Sequence, residues 1–500
     1  MALDVKKGSF AKSTGGAPAS QAVTGIGFQP KALILWATNQ TTEVIAFGIR
    51  FGIGFSDGTR YRAVAAASAD NSDFTSCDHR QATKALTLLD FTQTTVAECD
   101  VTSFDSDGFT LNWTTNNASA YIIHYLAIGG ADLTNVRADN FSLATSTGNQ
   151  AITGAGFQPD FVMFLSARDS GAIPNTAVHT YLSLGLAKSS SERAALAFAS
   201  QDNAGTSETN RYQRTTLCLA TLADSGTVDS EADFVSMDSD GFTINNSDAP
   251  TLAHKVMYLA LKGGSYKVGA ETQKTSTGTK ATTGAGFQPT GLFLASFNDV
   301  AQTTPQPHHR FSVGAASAAG VEGASWIGDT DAAATSSTNM STLTTKVIHL
   351  INADDPASPS AEADLSSLDS DGFTLDWTTA DATAREFVYL AIGSTGGGGT
   401  PVSQTATLRL EALAGVPRVA SSPYEALATP VATRLAPVEA LRGATRTSLL
   451  PWEAAGVPLV SSAIAKQAEY APAVSLLAEH APVIALSASY EPTLQLEGQL

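Results

Sequence analysis

Three blocks of sequence recur in the same order along the chain, and this repetition limits the folds open to it. The first block begins at Thr24 and returns at Thr153 and Thr283, at offsets of 129 and 130 residues. Its copies read TGIGFQP, TGAGFQP and TGAGFQP. A period of this length is typical of a chain built from successive copies of one structural unit.

Two further blocks follow the first at nearly constant spacing. DSDGFT-Leu/Ile begins at Asp105, Asp238 and Asp369, and a Tyr-Leu-Ala block begins at the three tyrosines Tyr125, Tyr258 and Tyr389. Collinear blocks of this kind predict three tandem copies of a unit of about 130 residues.

Each block has the composition of strands and turns, because Gly and Pro interrupt short runs rich in Val, Ile, Phe, Tyr and Thr. In the run after Gly108, alternation places Phe109, Leu111 and Trp113 on one face of a strand. The closing Tyr-Leu-Ala block is a further strand that returns to the core. These patterns predict an all-β fold in which each copy is an antiparallel β-sandwich, jelly-roll-like, of roughly eight to ten short strands.

The pattern changes after Gly393, where a Gly-rich stretch is typical of a flexible linker. Residues 401–500 contain no Asp, Asn, Phe or Cys. They carry their own spacing of 14 residues between Glu411, Glu425, Glu439 and Glu453. Prolines at 423, 437 and 451 exclude one continuous helix. We therefore predict a Pro-rich β-repeat segment, either a compact meander or, as we expect, a shaft completed by other chains, with a role in anchoring or oligomerisation.

The predicted domain boundaries follow from these patterns. They are 1–132 for repeat 1, 133–265 for repeat 2, 266–393 for repeat 3, 394–400 for the linker and 401–500 for the C-terminal segment.

The charge balance excludes several classes of function. The chain has 29 Lys and Arg against 47 Asp and Glu, a formal charge of −18, which disfavours binding to a nucleic-acid backbone. Its apolar runs, such as 121–128, are too short to span a bilayer, and its first residues lack the apolar core of a signal peptide. We expect no membrane insertion and no Sec export. Cys77, Cys99 and Cys218 have no paired spacing, so buried thiols are predicted rather than a disulfide framework or a zinc site.

Acidic residues around the DSDG blocks are the candidate metal ligands. They are Asp105, Asp107, Asp238, Asp240, Asp369 and Asp371, with Glu98, Asp100, Glu231, Asp233, Glu362 and Asp364 nearby. Oxygen clusters of this kind can bind Ca²⁺. However, Asp-Ser-Asp-Gly also satisfies the needs of a tight turn, which is the favoured reading. A glycosidase carboxylate pair could come from the same residues, but a catalytic site in three copies is unusual, so no catalytic residue and no cofactor are predicted.

Histidines and tryptophans give weaker signals. His179 aligns with His308 and with Gly48 of repeat 1, and no third ligand at useful spacing supports a metal site. Trp113 and Trp377 occupy equivalent positions on the apolar face of one strand, which predicts core packing. Trp326 lies in a Gly/Ala/Ser-rich stretch and is the tryptophan that we expect to be exposed.

The order of GFQP, an apolar strand, a variable middle, DSDGFT and a closing Tyr-containing strand resembles a repeated unit of structural proteins of tailed bacteriophages, many of them tail or tail-fibre proteins. The resemblance covers about residues 8–393. It implies a virion component that is assembled in the host cytoplasm, forms a homo-oligomer with a trimer as one option, and contacts other virion proteins.

Three functions therefore compete at this stage. The leading expectation is a non-enzymatic tail fibre or tail-tip protein for host adhesion, which would contact a host surface glycan or protein and whose three sandwiches form an extended arm. The second is a capsid decoration or capsid surface-fibre protein, and the third is a carbohydrate-binding protein or glycosidase. Because the shared residues belong to turns and core, we expect specificity to lie in the variable middles at 56–97, 186–230 and 315–361.

Overall fold

The structure is a computed structural model that describes residues 2–351 and 359–395, and four short strands between residues 448 and 486. The chain divides into two compact units, Met1–Thr400 and Pro401–Leu500, which are described separately. Every regular element in the described residues is a β-strand, so the prediction of an all-β fold is confirmed. The described part of the chain contains no helix long and apolar enough to cross a membrane.

Within the residues that the structure describes, each repeat contributes eleven strands, slightly more than predicted. Repeat 1 contains β1 (Asp4–Ala11), β2 (Ala19–Thr24), β3 (Pro30–Thr38), β4 (Ala46–Phe47), β5 (Ile49–Ser56), β6 (Tyr61–Ser68), β7 (Cys77–Ala82), β8 (Leu86–Leu89), β9 (Thr95–Asp105), β10 (Gly108–Thr115) and β11 (Ile122–Gly129). Repeat 2 contains β12 (Asn135–Ser142), β13 (Gly148–Thr153), β14 (Phe161–Ser166), β15 (Asn175–Val178), β16 (Thr180–Ser189), β17 (Glu192–Ser200), β18 (Thr209–Arg214), β19 (Leu219–Leu222), β20 (Val228–Asp238), β21 (Gly241–Asp248) and β22 (Lys255–Lys262). Repeat 3 contains β23 (Ser265–Thr272), β24 (Gly278–Thr283), β25 (Gly291–Asp299), β26 (Gln306–Pro307), β27 (His309–Ala318), β28 (Val321–Asp329), β29 (Thr338–Leu343), β30 (Ile348–Ile351), β31 (Pro359–Asp369), β32 (Gly372–Thr379) and β33 (Glu386–Gly393).

Every repeat folds into two antiparallel sheets. In repeat 1 the outer sheet has the order β2-β10-β9-β8, and six strands of the larger sheet have the order β1-β11-β3-β5-β6-β7. Repeats 2 and 3 reproduce both orders with their own strands. Phe109, Leu111 and Trp113 lie in the core between the two sheets, as the alternation predicted. Each repeat is therefore a two-layer β-sandwich.

The seventh strand of each large sheet comes from a different repeat. Strand β15 of repeat 2 pairs with β7 of repeat 1, and β26 of repeat 3 pairs with β18 of repeat 2. Strand β4 of repeat 1 pairs with β29 of repeat 3 and completes the cycle. The three repeats thus exchange strands in a closed ring with approximate threefold symmetry.

The large sheets are buried on both faces. Along β3, Leu33 and Leu35 pack into the sandwich core of repeat 1, whereas Ile34 and Trp36 point into a second core. This second core contains side chains from the large sheets of all three repeats, including Phe51, Leu184 and Phe311. The one-sided burial predicted for the strand after Gly108 thus fits the small outer sheet, to which β10 belongs, and not the large sheet.

The shared core corrects the expectation of an extended arm. An arm would require each sandwich to bury its apolar surface alone, but here one face of every large sheet is covered by the other two repeats. Because apolar burial is the main driving force of folding, the three repeats form one folded unit and not three independently folded domains.

The C-terminal unit contains a four-stranded antiparallel sheet. Its strands are β34 (Ser448–Pro451), β35 (Ala463–Lys466), β36 (Val474–Glu479) and β37 (Ala481–Leu486), in the order β34-β37-β36-β35. The predicted linker glycines 396–399 and the glutamates Glu411, Glu425, Glu439 and Glu453 lie outside the described residues.

Candidate functional site

The second aspartate of each DSDG block ties that turn to the GFQP block. Asp107 accepts hydrogen bonds from the backbone N–H groups of Gly25, at 3.1 Å, and Gly27, at 2.6 Å. Both glycines have positive φ, 82° and 90°, a conformation that glycine adopts without strain. Asp240 and Asp371 make the same pair of bonds in their own repeats. The two sequence blocks therefore form one structural feature, in which the aspartate of the DSDG turn binds two backbone N–H groups of the GFQP block. We call this contact the turn clamp.

The other candidate ligands have separate partners. Asp105 accepts hydrogen bonds from Ser103 Oγ and Thr110 Oγ1, and Asp238 and Asp369 repeat this pattern. Glu98 pairs with Arg80, and Asp100 pairs with Lys84. Among the described residues, no three His, Cys, Asp or Glu side chains are grouped to hold a metal ion. The geometry thus favours the turn reading of the DSDG blocks.

Changing Asp240 to Ala is expected to lower the free energy of unfolding by about 1–2 kcal/mol, because two backbone N–H groups lose a charged acceptor. Urea unfolding measures the loss, and Asp248→Ala on the exposed end of β21 is the control, with no loss expected. If calcium chloride instead raises Tm in the native chain and fails to do so in Asp240→Ala, the turn is a cation site.

His179 and His308 occupy a backbone position that requires positive φ. Their φ angles are 67° and 61°, and the equivalent Gly48 has 81°. His179 Nδ1 accepts a hydrogen bond from Asp202 N at 3.0 Å, and His308 Nδ1 accepts one from Asp331 N at 2.8 Å. The histidines thus help to position the loops that contain these aspartates.

Those loops form a ring at one end of the threefold body. We call residues 69–76, 201–208 and 330–337 the pole loops; they connect β6 to β7, β17 to β18 and β28 to β29. Each loop is joined to the next by backbone hydrogen bonds. The bonds are Thr75 N to Ala204 O, Asn203 N to Thr75 O, Ser207 N to Ala333 O, Ala332 N to Ser207 O, Ser336 N to Ser72 O and Asn71 N to Ser336 O, all between 2.7 and 3.0 Å.

One buried hydroxyl in each pole loop reinforces the ring. Thr75 Oγ1 donates to Gln201 O at 2.6 Å and accepts from Ala204 N at 2.9 Å. Ser207 makes the equivalent bonds to Thr330 and Ala333, and Ser336 makes them to Ala69 and Ser72. Each hydroxyl is thus a two-way link between neighbouring repeats.

Three carboxylates add a further set of links between repeats. Asp202 Oδ1 accepts from Cys77 N at 2.8 Å, Asp331 Oδ1 from Thr209 N at 2.9 Å, and Asp70 Oδ1 from Thr338 N at 2.8 Å. Each acceptor lies on one repeat and each donor on a neighbour. Asp70, Asp202 and Asp331 therefore have equivalent positions around the ring.

A fourth carboxylate lies beneath the ring. Asp329 occupies the position of Ser68 in repeat 1 and Ser200 in repeat 2, each the last residue of its strand. Ser200 Oγ donates to Asp329 Oδ2 at 2.8 Å, and the Ser68 side chain also interacts with this carboxyl group. Burial, together with the charges of Asp331 and Asp70, raises the pKa of Asp329 from 3.8 to about 7.

The sequence prediction missed the pole loops. Their signal is an aspartate followed five positions later by a hydroxyl residue: Asp70 and Thr75, Asp202 and Ser207, Asp331 and Ser336. This signal is short and lies in the variable middles, which we had assigned to specificity. The structure shows that these segments also supply contacts between the repeats, and their role in specificity stays a prediction.

The tryptophans and cysteines differ in how well the sequence predicted their burial. Trp113 and Trp377 are buried, as predicted, and the three cysteines are free and buried. The expectation that Trp326 is exposed was wrong, since its accessible fraction is 0%. Its ring packs where Gly328 leaves space, because a Cβ at Gly328 would lie 2.3 Å from it.

A hollow lies between repeats 2 and 3, next to the GFQP and DSDG blocks of repeat 2. Gln158, Asp160, Lys188, Tyr266 and Phe287 line it. Asp160 accepts a hydrogen bond from Gly263 N, and Tyr266 donates one to Gly263 O. The Asp160 bond thus lies within repeat 2, and the Tyr266 bond joins repeat 3 to repeat 2.

Comparisons with known proteins give no further assignment: no family model, no curated protein and no solved structure matches the chain.

Proposed function

We propose that this chain is a non-enzymatic structural protein of a bacteriophage virion, with a tail fibre or tail tip as its location and host adhesion as its role. The observation that carries this proposal is the closed ring of three repeats. Mutual strand exchange, a shared core and the linked pole loops build a body whose threefold arrangement is fixed within one chain. Such a body suits attachment to a symmetric particle.

The distribution of the shared residues supports the same proposal. In each repeat the GFQP and DSDG blocks are used for one turn clamp, through Asp107, Asp240 and Asp371. What the repeats have in common is thus scaffold, which is the expectation for a structural protein and agrees with the resemblance to tail proteins.

The carbohydrate-active alternative cannot be tested by substitution of the DSDG aspartates. Changing Asp107, Asp240 and Asp371 would break the turn clamps, so a loss of sugar binding would report damage to the fold. Variants in the hollow between repeats 2 and 3, such as Lys188→Ala, test this alternative without touching the clamps.

Imaging of purified particles with gold-labelled antibody against residues 1–395 tests the proposal. We expect label on the tail, at its tip or along a fibre. Label on the head would favour the capsid decoration alternative, and unlabelled particles from cells that make the chain would contradict a virion role.

A further inference from the structure

We propose that the pole, which is the surface formed by the three pole loops, is a docking surface for a basic protein with threefold symmetry. One copy of this chain binds three subunits of that protein. This inference rests on the proposed function and names the kind of partner that such a virion protein would have. The pole loops are equivalent in the three repeats, expose apolar side chains and carry acidic residues.

The three pole loops are equivalent at the surface. Their exposed tips are Asp73-Phe74, Gly205-Thr206 and Ala334-Thr335, at matching places in the three loops. The backbone bonds between loops are also equivalent in all three pairs. A partner that contacts one loop can therefore make the same backbone-level contact with the other two, provided that it has a threefold axis.

Exposed apolar side chains lie on one pole loop and at the ends of the exchanged strands. Phe74, on one pole loop, is 62% exposed. Phe47 and Val178 are 69% and 41% exposed and end the exchanged strands β4 and β15. Exposed Pro307 ends the third exchanged strand, β26.

These three strand ends lie beside the pole loops. Phe47 pairs with Asn339, Val178 with Asp78 and Pro307 with Asn210. Each partner residue is two positions beyond a pole loop. The pole loops are thus flanked by three exposed apolar side chains in threefold-equivalent positions, and one loop tip carries an exposed aromatic side chain, Phe74. Exposed apolar groups of this kind mark interaction sites.

The pole loops carry a net negative charge. The pole loops contain five acidic residues and no Lys, Arg or His. The acids are Asp70, Asp73, Asp202, Glu208 and Asp331. An acidic surface repels a second copy of itself and attracts a basic one. This charge favours a foreign partner over contact between two poles.

Photo-crosslinking in the cells that make the chain tests the proposal. The full chain carries a benzophenone amino acid at position 74, and a matched control carries it at Val235. Val235 is 39% exposed on the outer strand β20, three residues before the Asp238 turn. We expect position 74, and not position 235, to join one protein species that is a trimer on its own.

The purified pair then gives stoichiometry and affinity. We expect one chain per three partner subunits by light scattering. Phe74→Thr, which copies Thr206 and Thr335, should weaken binding at least about tenfold, while Val235→Ser leaves it unchanged. Asp73→Lys should weaken binding and reduce its salt dependence, whereas Asp248→Lys on the outer sheet should not.

Four outcomes would overturn the docking surface. They are no crosslink from position 74, a crosslink only to another copy of this chain, a crosslink only to residues 401–500 of the same chain, or a partner bound in a ratio of one to one. Because the crosslinking is read in cells, it decides the docking question whether or not antibody labels the particle, so failure of the virion role and failure of the docking surface are distinguishable.

Discussion

Changing Gly185 to Ala is expected to lower the free energy of unfolding by about 3 kcal/mol, because a side chain at this position has no space. Strand β16 passes so close to the small sheet of its repeat that a Cβ on Gly185 would lie 2.0 Å from the carbonyl oxygen of Cys218. That oxygen belongs to the backbone, which cannot move aside as a flexible side chain could. The large and small sheets of the repeat would have to separate locally.

Equivalent glycines show that this contact belongs to the fold. A Cβ on Gly54 would lie 2.4 Å from Ala85 O, and one on Gly314 would lie 2.1 Å from Val347 O. Gly185→Ala should therefore reduce the urea midpoint of unfolding, and Gly54→Ala and Gly314→Ala should do the same.

Gly205 supplies the matched control. It lies on a pole loop, an added Cβ would only make an ordinary 3.6 Å contact with Phe74, and repeat 3 has Ala334 in its place. Gly205→Ala should leave stability unchanged or raise it slightly. Equal losses in Gly185→Ala and Gly205→Ala would show that the loss reflects the backbone flexibility of glycine and not the close approach of two sheets.

The part of the fold that could be predicted from sequence is the part that depends on local pattern. The alternation of Phe109, Leu111 and Trp113 identified a strand with one buried face, and Asp-Ser-Asp-Gly identified a turn. Both features depend on residues close together in the chain. That Asp107 clamps Gly25 and Gly27 was not predicted, since some 80 residues separate them.

The ring could not be predicted because its links are short and unlike in sequence. Strands β4 and β26 have two residues each, too few for any periodicity. One clue was present in Leu33-Ile34-Leu35-Trp36, a continuous apolar run that is typical of a strand buried on both faces. This run implied that the second face of the strand is also buried. The sequence did not show that the other two repeats bury it.

The wrong prediction that Trp326 is exposed has a related cause. Small residues around a tryptophan suggested a surface stretch, yet in a sheet packed on both faces small residues make room for large rings. Gly328 does this for Trp326. Composition therefore indicated where space is available and not where solvent is.

Changing Asp329 to Ser is expected to stabilise the chain above pH 7 and to reduce the dependence of its stability on pH. The pKa of Asp329 is raised from 3.8 to about 7 because the carboxyl group is buried. Between these values the folded state holds a proton that the unfolded state has lost. Stability therefore falls as the pH rises from about 4 to 7, and the full cost is present above pH 7.

The size of this effect follows from the same shift. Each pKa unit corresponds to about 1.4 kcal/mol, so Asp329→Ser should gain roughly 2–4 kcal/mol at pH 8 and little at pH 4. Serine is the residue that repeats 1 and 2 have at this position, Ser68 and Ser200, so the substitution introduces no side chain that the ring does not already accommodate.

Other groups must be separated from Asp329 in the measurement. Burial also raises the pKa of Glu322 to about 7 and that of Asp78 to about 6, and these groups give the native chain a slope of the same sign. The charged groups that act on Asp329 itself are Asp331 and Asp70. The informative quantity is therefore the difference in urea midpoint between Asp329→Ser and the native chain from pH 4 to pH 8, with Asp248→Ser as the exposed control.

A difference that grows with pH through this range would mean that repeat 3 carries a buried charge beneath the ring. Repeats 1 and 2 avoid this cost because they have serine at the equivalent position. A difference that stays constant would mean that Asp329 is ionised throughout and is stabilised by Ser200 and its other neighbours. In that case the carboxylate would be a structural link between repeats 2 and 3, and its replacement by serine should loosen the ring at every pH.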